Sequence, residues 1–104
     1  MRMTTQPESA ILHGVRDHLR GQGYLVIRNV AGIGTHSGLS DLLALKGGVT
    51  LYVEVKTASG RLSDAQERFR RDVQAHGGRY IVVRSVDDIA AVVGGCLELL
   101  EATS

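Results

Sequence analysis

"DLLALKGGVTLYVEVK", residues 41–56, decides the fold. Two runs of strand-forming residues flank Gly47-Gly48, and paired glycines suit the positive backbone angles of a two-residue hairpin turn. Such a turn sets Lys46 against Val49, and counting back from it sets Leu42 against Val53 and Asp41 against Glu54. Strand side chains alternate between faces. One face of the hairpin therefore carries Leu42, Ala44, Leu51, Val53 and Val55, a continuous apolar surface for a core. The other face carries Asp41, Glu54 and Lys56 at its open end, with Leu43, Leu45 and Tyr52 toward the turn.

Directly opposed side chains on an antiparallel pair have Cβ atoms roughly 4.5–5.5 Å apart, and like charges there repel. Two carboxylates at the border of a buried region therefore call for a cation. A divalent metal is the economical solution, because carboxylate oxygens suit Mg²⁺, which keeps several waters and takes few protein ligands. A protonated lysine beside it is not a ligand. It can orient an attacking water or offset charge on a phosphoryl group. That combination suits phosphodiester hydrolysis. Two alternatives stay open on the residues alone: Glu54 and Lys56 as a plain same-face ion pair, or a three-residue turn that shifts the register and separates the acids.

Outward from the hairpin, the pattern predicts three helices and two more strands. The first helix spans about Gln6 to Arg20, with Thr5 and Glu8 as a capping box, Pro7 in its first turn, and an apolar stripe of Ile11, Leu12, Val15 and Leu19. "YLVIRNV", residues 24–30, reads as the first strand, followed by the glycine-rich "AGIGTHSG". The hairpin strands are expected over 39–46 and 49–57. Ser63 opens the second helix, which carries Ala65, Phe69 and Val73 to about His76, where Gly77-Gly78 stops it. "RYIVVR" is a fourth strand, and a last helix follows Ser85, with a weak point at Gly94-Gly95. The order αβββαβα makes the third and fourth strands parallel through a right-handed crossover. The expected fold is α/β, a mixed sheet flanked by helices.

The 104 residues suit one domain over 1–104 with a single core. An apolar share of 43% with 22% charged residues is that of a globular chain. The net charge of +1 decides nothing about a nucleic-acid partner, although ten of the twelve cations are arginine, which suits bidentate phosphate contact. Cys96 is the only cysteine, so a disulfide frame and a zinc site are excluded. No apolar run reaches membrane-spanning length and no signal-peptide core is visible, so the expected location is cytoplasmic, with no membrane partner.

An Asp at the start of one strand and Glu-x-Lys on the next resembles the signature of the PD-(D/E)xK nuclease superfamily. The surrounding chain is similar to its virus-type replication-repair nuclease (VRR-NUC) branch. The motifs run in order across nearly the whole chain: Glu8 in the first helix, "RN" after the first strand, "GLSD", "VEVK", "GRLSDAQERF" and "GGRYIVVRSVDD". One departure is Ser40, where the family usually has a proline that shapes the loop.

The resemblance implies a restriction-endonuclease-like fold and a Mg²⁺- or Mn²⁺-dependent DNA endonuclease. In it Asp41, Glu54 and the carbonyl of Val55 bind metal, Lys56 serves the attacking water, and Gln66 and Glu8 line the site. Branched DNA, such as a four-way (Holliday) junction, in phage or repair metabolism and a homodimer are the implied substrate and assembly. Rival functions are an idle DNA-binding or accessory protein of the same fold, a nickase, and a restriction-type enzyme. Arg28, His36, Arg61 and Arg68 are the residues placed for contact with DNA, branched or double-stranded. Each has a plainer role open to it: Arg28 as a strand-edge residue, His36 as a solvated loop residue, Arg61 and Arg68 with Arg70 and Arg71 as a solvated helix face. Gln66 equally completes a capping box with Ser63. Gly32, Gly34 and Gly38 lack phosphate-loop spacing and read as a flexible flap.

Overall fold

A computed structural model describes residues 6–29 and 38–103, with the side chains of 95–103 left aside. Thr5, the predicted cap of the first helix, and His36, Gly32 and Gly34 lie outside the described residues.

The elements are α1 (Glu8–Gly21), β1 (Leu25–Arg28), β2 (Leu42–Lys46), β3 (Val49–Val55), α2 (Asp64–Ala75), β4 (Arg79–Val83) and α3 (Val86–Thr103). This is the predicted αβββαβα order, with α1 starting at Glu8 and Pro7 at its N-cap position. The strands form one sheet in the order β1-β2-β3-β4. The first two pairings are antiparallel and β3 runs parallel to β4. Gly47 and Gly48 have φ of 58° and 79°, the angles of a two-residue hairpin turn that ordinary residues resist. That turn fixes the register expected from sequence, Lys46 with Val49 through Leu42 with Val53.

Alternation then sorts the sheet into two faces. Leu42, Ala44, Leu51, Val53 and Val55 are all within 1% of complete burial, packed with Ile11, Val15 and Leu19 of α1 and Ile89 and Val93 of α3. On the opposite face Phe69 and Val73 of α2 meet Tyr80, Tyr52, Leu39, Leu62 and Val82. Phe69 stands edge-on to Tyr52 and to Tyr80, with ring centroids 5.7 and 6.1 Å away. α2 covers the β3–β4 side of this face. On the β1–β2 side Leu25, Ile27 and Leu45 are exposed. Alternation from the buried Val26 and Ala44 puts them on the α2 face.

All four strands are shorter than their sequence patterns, β4 only by its last residue, Arg84. β2 begins at Leu42 rather than residue 39, because Gly38 turns with φ 77° and the buried Ser40 hydroxyl donates to the Leu42 carbonyl at 3.1 Å. The Ser40 side chain is thereby tied to the first residue of β2. Among the described residues β1 pairs over 25–28, and Asn29 donates its N–H to the Asp41 carbonyl at 2.8 Å; Val30, the predicted end of this strand, lies outside them. β3 ends at Val55; Lys56 N–H reaches the Val83 carbonyl at 3.0 Å, after which the chain turns. α3 runs unbroken through Gly94 and Gly95. Among the described residues no helix is long and apolar enough to cross a membrane.

Candidate active site

The α2 face of β3 carries one ionisable group in the core. Glu54 is 1% exposed. Its Oε2 accepts a hydrogen bond from Gln66 Nε2 at 3.0 Å and lies 3.7 Å from Lys56 Nζ. Its Oε1 is buried with no hydrogen-bond partner among the described residues. Natural proteins rarely leave a buried carboxylate oxygen bare. Burial pushes the Glu54 carboxyl up to about 8; the neighbouring Asp41 pushes the same way, Lys56 pulls it down, and Glu8 adds a small upward push.

Asp41 is held from both sides. Its carbonyl accepts from Asn29 of the β1 end, and its Oδ2 accepts the Val55 N–H at 2.8 Å. Strand pairing stops one residue earlier, at Leu42 with Val53. Asp41 is therefore seated by the backbone of β3 rather than by a ladder pair opposite Glu54. Its carboxyl still adjoins that of Glu54.

Gln66 unites two roles that the sequence set as rivals. Its Oε1 accepts the Ser63 N–H at 2.8 Å while Ser63 Oγ accepts the Gln66 N–H at 3.1 Å, a complete capping box at the start of α2. The other end of the same amide donates to Glu54. Reversing the amide would aim its NH₂ at an N–H and its oxygen at a carboxylate, so the contacts fix its orientation. The cap of α2 thereby steers a hydrogen bond into the site.

Gly38 works from the opposite side. A Cβ there would collide with the Ala65 carbonyl, lying 2.5 Å from its carbon and 2.9 Å from Gln66 N. Gly38 is thus no flap residue; it lets the segment entering β2 press against the first turn of α2. Gly38→Ala is expected to lower the melting temperature by several degrees. The new methyl strains a left-handed position, at about 1–2 kcal/mol, and levers Gln66 off Glu54. Thermal unfolding checks the effect; an unchanged melting temperature would show that α2 need not hold its place.

The other predicted residues divide. Glu8 is exposed at the start of α1 and close enough for its charge to reach Glu54. Val55 shares the buried end of β3. Arg28 is in register with Leu42, on the sheet face opposite Glu54. Arg68 is exposed on α2, and Arg61 is exposed on the segment leading into that helix. Two residues near the site were not singled out from sequence. Tyr80 is buried beside Tyr52 with its hydroxyl unpartnered among the described residues, and burial followed by the Glu54 and Asp41 charges holds its ionisation well above the ordinary tyrosine range. Arg84 clasps the turn after Lys56, its Nη1 donating to the carbonyls of Thr57 (2.6 Å) and Gly60 (2.7 Å), with Ala58 at 3.4 Å. Only strand alternation hinted at Arg84, on the face of β4 that Lys56 shares on β3.

Two adjoining carboxylates, one with a bare buried oxygen, make a donor set of hard oxygens that fits a divalent cation such as Mg²⁺ or Mn²⁺. The described residues contain no cluster of three or more acid, histidine or cysteine side chains suited to a metal. A cation here would complete its shell with backbone carbonyl and water, as Mg²⁺ commonly does.

Comparison with known proteins returns one family across this region. A family model described as the VRR-NUC domain matches residues 14–87, which contain Asp41, Glu54, Lys56 and Gln66. A solved structure titled a VRR_NUC domain is 27% identical and superposes with a TM-score of 0.73, over 84% of this chain and 94% of its own. A second, a VRR_NUC domain protein at 17% identity, has the same TM-score and covers 88% of each chain, a likeness of fold. Comparison with curated proteins finds no match.

Proposed function

The chain belongs to the VRR-NUC domain family, a nuclease domain of the PD-(D/E)xK type, and from that premise we propose a divalent-metal-dependent DNA endonuclease. The observation that carries the proposal is the buried Glu54 carboxylate, with one oxygen bare and Asp41 and Lys56 beside it. Asp41, Glu54 and the Val55 carbonyl would hold Mg²⁺ or Mn²⁺, which when bound supplies the positive charge that phosphodiester hydrolysis needs.

The chain's own groups supply the rest. Lys56, anchored through its N–H to Val83, presents its ammonium 3.7 Å from Glu54 to orient the attacking water and offset charge on the phosphoryl oxygens. Gln66 fixes the Glu54 carboxylate through one oxygen and leaves the other free for a ligand. The Val55 N–H keeps Asp41 turned toward the same place. Glu8 adds negative charge at the rim, and Arg61 and Arg68 stand ready for the DNA backbone.

One site cuts one strand, so paired cuts in branched or duplex DNA call for two copies related by a twofold axis. Supporting a homodimer, Leu25 and Ile27 are 59% and 51% exposed on an edge strand, an apolar surface natural proteins usually cover or blunt. The test is purified protein on supercoiled plasmid, linear duplex and a four-way junction, each with Mg²⁺, Mn²⁺ or chelator, beside sedimentation of the protein alone. Metal-dependent cutting with preference for the junction and a dimeric mass is expected. Nicked plasmid alone would indicate a nickase, sequence-bound cuts a restriction-type enzyme, and binding without cutting an idle accessory protein.

A further inference from the structure

Beside the candidate active site, and separate from its acids, lies a cleft of about 510 Å³ lined by Arg61, Leu62, Glu67, Arg70, Val82 and Arg84. Val82 is the ladder partner of Glu54, so the cleft floor lies one strand spacing, about 5 Å at the backbone, from the site. Alternation puts Arg84 on the same face as Lys56, beyond the pair Val55 and Val83.

The charges in the cleft are not equivalent. Glu67 Oε2 accepts from Arg70 Nη2 at 2.7 Å and Nε at 3.2 Å, so these two neutralise each other. Asp88 is occupied at the edge, its Oδ2 accepting the Arg84 N–H at 2.8 Å. Arg84 is fixed by carbonyls of the 57–60 turn, which hold a guanidinium in place without cancelling its charge. Arg61 is exposed and its side chain forms no ion pair among the described residues. What remains is an excess of positive charge from two arginines over an apolar floor of Leu62 and Val82.

We propose that this cleft binds a backbone phosphate of the strand being cut, flanking the scissile phosphate, with Arg61 and Arg84 as its cations and the sugar lying on Leu62 and Val82. The inference rests on the nuclease reading for the word scissile, but the phosphate site itself does not. Arg84 arrives already ordered, so the contact costs little freedom, and the turn it clasps follows Lys56 directly. Phosphate contacts of this kind set the register of a nucleic acid on a protein without reading its sequence.

The test uses the full chain and oligonucleotides, single-stranded and duplex, carrying one neutral methylphosphonate linkage at successive positions. In the wild type the neutral linkage suppresses cutting about tenfold at one fixed offset from itself, in addition to blocking its own position. In Arg61→Ala the overall kcat/KM falls about tenfold, mainly through KM, and the fixed-offset suppression shrinks to less than twofold. Arg61→Lys, which keeps the charge, recovers most of both, and Arg79→Ala at the other end of β4 behaves as wild type. Binding followed by fluorescence anisotropy without divalent metal gives a salt slope about one unit shallower in Arg61→Ala than in the wild type. A wild type that cuts, with offset pattern and salt slope untouched by Arg61→Ala, overturns the phosphate site and spares the nuclease. A wild type that binds without cutting, with the slope still reduced in Arg61→Ala, overturns the nuclease and keeps the phosphate site.

Discussion

Lys56→Ala is expected to reduce DNA cleavage by about two to four orders of magnitude, the span that a positioned proton-handling or charge-bearing side chain contributes. Lys56 sits at the end of β3 with its ammonium 3.7 Å from Glu54 Oε2, on a side chain only 15% exposed. Removing it takes away the cation that would face the phosphoryl oxygens. It also removes the influence drawing the Glu54 carboxyl downward, so that acid keeps its proton to higher pH. Affinity for DNA measured without divalent metal should change by less than about threefold, because one partly buried lysine adds little to backbone attraction. Lys56→Gln, close in size, should fail as Lys56→Ala does. A Lys56→Gln protein cutting within tenfold of the wild type would remove Lys56 from the chemistry and leave it an ion-pair partner.

Glu54→Gln should abolish cutting and, in the absence of metal, raise the melting temperature. The amide keeps the shape of the side chain and can still accept from Gln66, but it brings no charge into a site that is 1% exposed. The gain depends on pH in a direction that the acid's shift fixes. Burial pushes the Glu54 carboxyl of the folded chain up from 4.5 to about 8. Below about 4.5 it is protonated whether folded or not, and the wild type has no penalty. As pH rises toward 8, only the unfolded chain readily gives up the proton, so the wild type loses stability while Glu54→Gln does not. At pH 8, without metal, the variant should melt roughly 5 °C or more above the wild type. Adding Mg²⁺ or Mn²⁺ should close that gap by stabilising only the wild type, as a ligand selective for the folded state does. Calorimetry at pH 5 and pH 8, with and without the cation, checks both parts. Equal metal stabilisation of the two proteins would remove Glu54 from any metal site.

Pairing and alternation are local properties, and they carried most of the fold. The Gly47-Gly48 turn leaves one register for the hairpin, and that register sends Glu54 to one face and Leu42, Val53 and Val55 to the other. The Ser63 cap and the stop at Gly77 bounded α2 for the same reason, since each is a hydrogen-bonding or backbone-angle preference of a few adjacent residues. Strand ends were less legible. Where β2 starts depends on the Ser40 hydroxyl reaching Leu42 and on Gly38 meeting α2, and the second of these joins segments far apart in the chain.

By itself, then, the sequence determined the order of elements, the hairpin register, the apolar face and the acids and lysine gathered at one end, because each follows from turn chemistry and a two-residue period. Only the tertiary structure decided that Asp41 is seated by the Val55 N–H, that the amide of Gln66 which caps α2 also grips Glu54, and that one Glu54 oxygen is buried bare. It also decided that Arg84 folds over the turn behind Lys56 and shares a cleft with Arg61. The physical reason is common to all of these. Burial and hydrogen-bond partners are set by which segments, distant in the chain, meet in the fold, and no run of neighbouring residues encodes that meeting.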